Sequence, residues 1–162
     1  MGALTEEMRR LVDRMHLGYV ASVGPDGAPN LSPKGTLAVW DDDHLVFADL
    51  ASPRTVENLR RRPAYEANVV DPFSRRGFRF RGTARVIDPG PDLEPFLVFF
   101  ARFGVVRAHE RVRTAVLLAV ERARPVVSPA YDTGATEESL RRHWLDYYSG
   151  RGREAPESLD LE

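Results

Sequence analysis

Leu17-Gly18-Tyr19-Val20-Ala21-Ser22-Val23-Gly24 is a short apolar run rich in strand formers, closed by the turn Gly24-Pro25-Asp26-Gly27. A second extended run over 30–40 follows, then the turn Asp41-Asp42-Asp43 and a third strand over 44–48. Three strands joined by tight turns predict an antiparallel meander.

Upstream, Leu4, Met8, Leu11, Val12 and Met15 recur at helical spacing behind Thr5 as N-cap, a first amphipathic helix that ends near Gly18. Downstream, Ser52-Pro53 reads as an N-cap with proline at the first helical position, and the helix stops at Arg62-Pro63. A fourth strand is expected over 65–70 and a fifth over 77–88. In the fifth, Phe78, Phe80, Ala84 and Val86 share one face, and Arg79, Arg81, Thr83 and Arg85 the other. Pro91-Asp92 opens a third helix carrying Leu93, Phe96, Leu97, Phe100 and Phe103. A sixth strand covers 112–122, and Thr136 caps a last helix with Leu140, Trp144, Tyr147 and Tyr148 on one stripe.

These elements predict a mainly β protein with peripheral helices, a six-stranded antiparallel split β-barrel. The missing βαβ alternation argues against a doubly wound parallel sheet. One domain over 1–148 is expected, with a flexible C-terminal tail at 149–162.

Composition narrows the chemistry. The chain has 162 residues, a formal net charge of −1 and no cysteine, so thiolate metal sites and thiol nucleophiles are excluded. No signal peptide or membrane-spanning run is read, and a cytoplasmic protein is expected. The four histidines are scattered, with no pair at metal-ligand spacing, so no metal is expected. Of 23 basic residues only Lys34 is lysine.

Two segments stand out as anion sites. In Ser32-Pro33-Lys34-Gly35-Thr36, proline and glycine make the strand irregular, while Ser32, Lys34 and Thr36 share one face at period two. The stretch is either a bulged edge strand with a solvated face or a place where a ligand meets the backbone. Ser52-Pro53-Arg54-Thr55 places a fixed charge at a helix start, where free N–H groups and the dipole favour anions. An ordinary capped surface helix is the plainer alternative. The arginine face of the fifth strand, with Arg75 and Arg76, reads as solvated. Nucleic acid is disfavoured, because the aromatic residues alternate to the opposite face.

The run 17–23, then Pro25-Asp26-Gly27-x-Pro29 and Ser32-Pro33-Lys34-Gly35, resembles the opening of the pyridoxamine 5′-phosphate oxidase-like FMN-binding family. So do Leu45-Val46-Phe47-Ala48-Asp49, Ser52-Pro53-Arg54-Thr55-x-x-Asn58-Leu59, Pro63 and the strand after it, a likeness over about 15–88. The resemblance implies a homodimer with one FMN in each of two interface clefts and a flavin-dependent oxidoreductase activity on an unknown small molecule. It puts Ser32, Lys34, Arg54 and Thr55 on the phosphate, beside Gly35, Thr36 and Ser52, and Lys34 near the flavin ring. By the same placement Asn68, with Val69 or the partner's fifth strand, lines the ring. The substrate-phosphate residues of true pyridoxamine 5′-phosphate oxidases are missing after the fifth strand, and the C-terminus lacks their arginine motif. Two alternatives on the same fold stay open. One is a deazaflavin-dependent reductase. The other is a non-enzymatic carrier of flavin or haem, for which His109 or His143 is the candidate axial ligand.

Overall fold

The computed structural model describes residues 2–102 and 112–150. Among the described residues, no helix is long and apolar enough to cross a membrane.

In chain order the elements are α1 (Glu6–Met15), β1 (Gly18–Val23), β2 (Pro29–Lys34), β3 (Ala38–Val39), β4 (His44–Asp49) and α2 (Pro53–Arg61). They continue with β5 (Ala64–Asp71), β6 (Arg76–Ile87), α3 (Glu94–Arg102), β7 (Thr114–Val127) and α4 (Glu137–Tyr148). The strands form one sheet in the order β2-β1-β5-β6-β7-β4-β3, and every neighbouring pair is antiparallel. This is the mainly β class expected, a curled antiparallel sheet forming a half-barrel with peripheral helices, consistent with a split β-barrel.

Seven strands stand where six were expected. The run over 30–40 breaks at Gly35-Thr36 into β2 and the two-residue β3. These are the two edges of the sheet, yet only residues 35–37 separate them in sequence. A chain that short can bridge the two edges only if the sheet curls until they meet. The segment 32–36 therefore lies at the seam.

The last strand also runs further than expected, to Val127, despite Pro125. Beyond Ala119, β7 has β6 as its only neighbour, so a missing N–H on its open side costs no ladder bond. Between Arg81 and Gly82 the β6–β7 register shifts: Arg81 faces Arg122 but Gly82 faces Val120, leaving Glu121 as the extra residue of a bulge. Gly82 permits it. A Cβ there would stand 1.9 Å from the Ala119 carbonyl oxygen.

Two apolar clusters follow from the two faces of the curl. Inside it, Val20, Leu45, Phe47, Val69, Phe80, Val116 and Leu118 pack with Leu11 and Val12 of α1 and Val56 and Leu59 of α2. Outside, Phe96 and Phe100 of α3 cover Val46, Ala48, Ala115 and Leu117, with Trp40 stacked 4.3 Å from Phe96. Phe103, His109 and residues 151–162 of the tail expected over 149–162 lie outside the described residues. His143 is exposed on α4, edge-on to Trp144.

Helix α4 buries no residue fully and is attached by ion pairs and by ring contacts such as Phe73 with Tyr148. Asp71, at the end of β5, accepts from Arg141 of α4 at 2.7 Å and from Arg14 of α1 at 3.3 Å, and its side chain is only 3% exposed. Arg75 lies 3.5 Å over the Trp144 ring and adds a second contact.

Candidate functional site

Lys34 ends β2 at the seam and is 4% exposed, an unusual depth for a lysine. Its ammonium donates to Ser32 Oγ at 2.8 Å and to Ser52 Oγ at 2.5 Å, and lies 4.9 Å over the Phe47 ring. Burial lowers its pKa, and the charge of Asp49 works against that shift. Among the described residues Lys34 has no ion pair within contact distance, and its hydrogen bonds go to hydroxyls.

Ser52 occupies the N-cap position of α2 but does not cap it. Its hydroxyl donates to Asp49 Oδ1 at 2.7 Å while accepting from Lys34, and its backbone N–H also reaches Asp49 Oδ1 at 2.8 Å. The first N–H groups of the helix are thus left without a side-chain acceptor, facing the end where the dipole is positive. Arg54, at the second helical position, is exposed and has no ion pair among the described residues.

Beneath the first turn of α2 lies a small amide–hydroxyl network. Asn30 donates to Thr55 Oγ1 and to Ser22 Oγ, both at 3.1 Å, and Asn58 donates to Ser22 Oγ at 3.2 Å. Thr55 is 1% exposed, so its hydroxyl positions the turn from inside. Thr36 is likewise committed: its hydroxyl donates to the Ala48 carbonyl at 3.1 Å and accepts from the Ala48 N–H at 3.0 Å. Gly35 faces open space.

A cleft of about 440 Å³ is lined by Ser32, Lys34, Gly35, Thr36 and Ser52, with Leu50 on its rim. Arg54 lines a second cleft of about 510 Å³ together with Asn30 and Asn58. The structure so gathers Ser32, Lys34, Gly35, Thr36 and Ser52 in one place and sets Arg54 and Thr55 at the adjoining helix start. It does not bring Asn68 there. Asn68 pairs with Tyr19, which pairs with Pro33, so it stands on the opposite face of the sheet from Ser32 and Lys34. Its side-chain Oδ1 accepts from Arg79 Nε at 3.3 Å.

Sequence reasoning missed Asn30, Ser22 and Asp49, and gave Asn58 no role. Asn30 was within reach, since it has the parity of Ser32 and Lys34. Ser22 and Asp49 were not, because only strand register and the seam bring them in.

The donor set suits a phosphate monoester. Such a group carries about −1.5 to −2 charge near neutrality, and the cluster offers Lys34, Arg54 at the adjoining helix start, the Ser32 hydroxyl and an uncapped helix start.

A family model described as pyridoxamine 5′-phosphate oxidase matches residues 4–127. No curated protein matches the chain by sequence. Among solved structures, HupZ of Group A Streptococcus is 26% identical with a TM-score of 0.67, covering 77% of this chain and 95% of that one. An FMN-binding protein from Syntrophomonas wolfei is 14% identical, with a TM-score of 0.63 and coverage of 76% and 86%. An F420 reductase is 24% identical, with a TM-score of 0.59 and coverage of 75% and 98%. The last two likenesses concern the fold alone.

Proposed function

The chain belongs to the pyridoxamine 5′-phosphate oxidase family, and from that premise we propose that it binds FMN and works as a flavin-dependent oxidoreductase on a small molecule. The observation that carries this reading is Lys34. It is a buried cation held by two hydroxyls and no contacting carboxylate, beside a helix whose cap residue is turned away from it. Asp49 reaches this buried charge only through Ser52 and does not contact it, so the arrangement is understood as one that an anionic ligand completes.

In this reading Ser32 and Lys34 hold the phosphate together with the first N–H groups of α2, Ser52 positions the Lys34 ammonium beside it, and Arg54 closes over it from outside. Asn30 and Thr55 fix the helix start from below. The flavin would supply the redox chemistry; the chain supplies position and charge. Leu50, 42% exposed, and Ala51 on the rim of the cleft suit a second copy packing there, which gives a homodimer with the cofactor at its interface.

The test is the absorption spectrum of freshly purified protein, with mass spectrometry of whatever heat releases. Flavin bands and the mass of FMN support the reading. A deazaflavin spectrum, motivated by the likeness to an F420 reductase, would move the protein to the rival reductase chemistry. A colourless protein that ignores added FMN would sink both.

A further inference from the structure

The bulge in β7 changes which way its arginines face. Val120 points into the core, so in a regular strand Arg122 and Arg124 would point inward too. With Glu121 bulged out, Arg122 and Arg124 turn to the outer face, where they stand directly across from Arg81 and Arg79. The four arginines therefore spring from the corners of a backbone rectangle about 5 Å across the strands and about 7 Å along them. They enclose a small cavity of about 210 Å³ whose only other lining residue is Glu66.

The charges around this cavity are unbalanced. Glu66 pairs with Arg79 at 3.1 Å, and Asn68 accepts from the same guanidinium. Glu121, the other nearby carboxylate, accepts from Thr83 Oγ1 at 3.1 Å instead. Arg81, Arg122 and Arg124 have no ion pair among the described residues. Like charges placed opposite each other weaken a sheet, yet here a bulge creates two such pairs in succession.

We propose that Arg79, Arg81, Arg122 and Arg124 form an anion site that takes a diphosphate group. Four cations less one carboxylate leave an excess that a monophosphate, at about −1.5 to −2, does not match and a diphosphate does. Guanidinium forks grip phosphate oxygens in pairs, and two facing pairs suit two linked phosphates. The site is separate from the Lys34 cluster, which is on the other face of the sheet, and does not depend on FMN being the ligand there. Tyr19, 48% exposed, lies on the same face in the row Tyr19–Asn68–Arg79, two strands from Arg79. That is about 10 Å, a distance at which its ring can support the base of a nucleoside diphosphate.

The experiment titrates inorganic pyrophosphate and ADP, separately, into the purified protein and into three variants, by calorimetry. In Arg81→Gln/Arg122→Gln both probes are expected to bind at least tenfold more weakly, with the melting temperature unchanged or raised because repulsion is relieved. Lys34→Ala should bind both as the parent does. Weaker ADP binding in Tyr19→Ala than in the parent, with pyrophosphate unaffected, assigns a nucleotide, whereas parental affinity for both probes in that variant assigns the bare diphosphate; either upholds the site. No binding to the parent overturns the proposal. So does a loss in Lys34→Ala that the arginine variant does not share, since the probes would then occupy the seam.

Discussion

Lys34 and Ser52 meet at 2.5 Å across the seam of the sheet, one from the end of an edge strand, the other from the start of α2. This one contact joins the lone lysine of the chain to the residue at the N-cap position of that helix, whose hydroxyl is turned to Lys34 and Asp49 instead of capping it.

If the phosphate sits there, Lys34→Ala and Arg54→Ala should each weaken FMN binding by about 1.5–3 kcal/mol, the scale of a charge-assisted hydrogen bond. Fluorescence titration of the cofactor-free protein measures this. Unchanged affinity in both variants removes the phosphate assignment.

Burial lowers the Lys34 pKa below its ordinary value of 10.5. Between the lowered folded value and the unfolded one, the unfolded chain binds more protons, so the cofactor-free protein should gain stability as pH rises through that window. Lys34→Met should flatten this slope and raise stability near neutrality by about 1 kcal/mol while impairing flavin binding. Urea denaturation across alkaline pH reads it, and an unchanged slope contradicts the assignment.

Burial by itself would raise the Asp71 pKa, but the Phe73 N–H, Arg141 and the Ser74 N–H outweigh it and hold the carboxyl below the usual range. Its contribution is present above the unfolded value and lost as pH falls through the folded one. Asp71→Ala should cost about 3 kcal/mol and loosen α4, leaving Arg14 and Arg141 without their shared acceptor. Hydrogen exchange of α4 amides, faster in the variant, is the check.

Gly82→Ala places a methyl group against the Ala119 carbonyl. A destabilisation of about 2–3 kcal/mol is expected, since the bulge must shift to admit it. Thermal unfolding decides, and a neutral substitution would show that the bulge is not fixed by this close approach.

For the dimer, light scattering should give about twice the 18.2 kDa chain mass. A monomer that still retains flavin would contradict placement of the cofactor between subunits.

Local chemistry in the sequence was enough for the helix starts at Thr5 and Thr136, for the two-faced pattern of β6, and for Ser32, Lys34, Ser52 and Arg54 as anion-site candidates. Each depends on spacing of two to four residues, which periodicity and capping rules read directly. The split of 30–40 into two opposite edges was hidden. A turn inside an extended run is short-range, but which edges it joins is a property of the whole sheet.

The sequence by itself determined the kinds of groups available: one lysine, a serine–proline helix start, no thiol, and strands that alternate apolar with polar. The tertiary structure alone decided where they go. It turned the Ser52 hydroxyl from the helix cap to Asp49 and Lys34, set Asn68 on the far face from Lys34, and swung Arg122 and Arg124 outward at the bulge. The physical reason is that a side chain's face and partner depend on strand register, and register is fixed by long-range burial and closure rather than by neighbours along the chain.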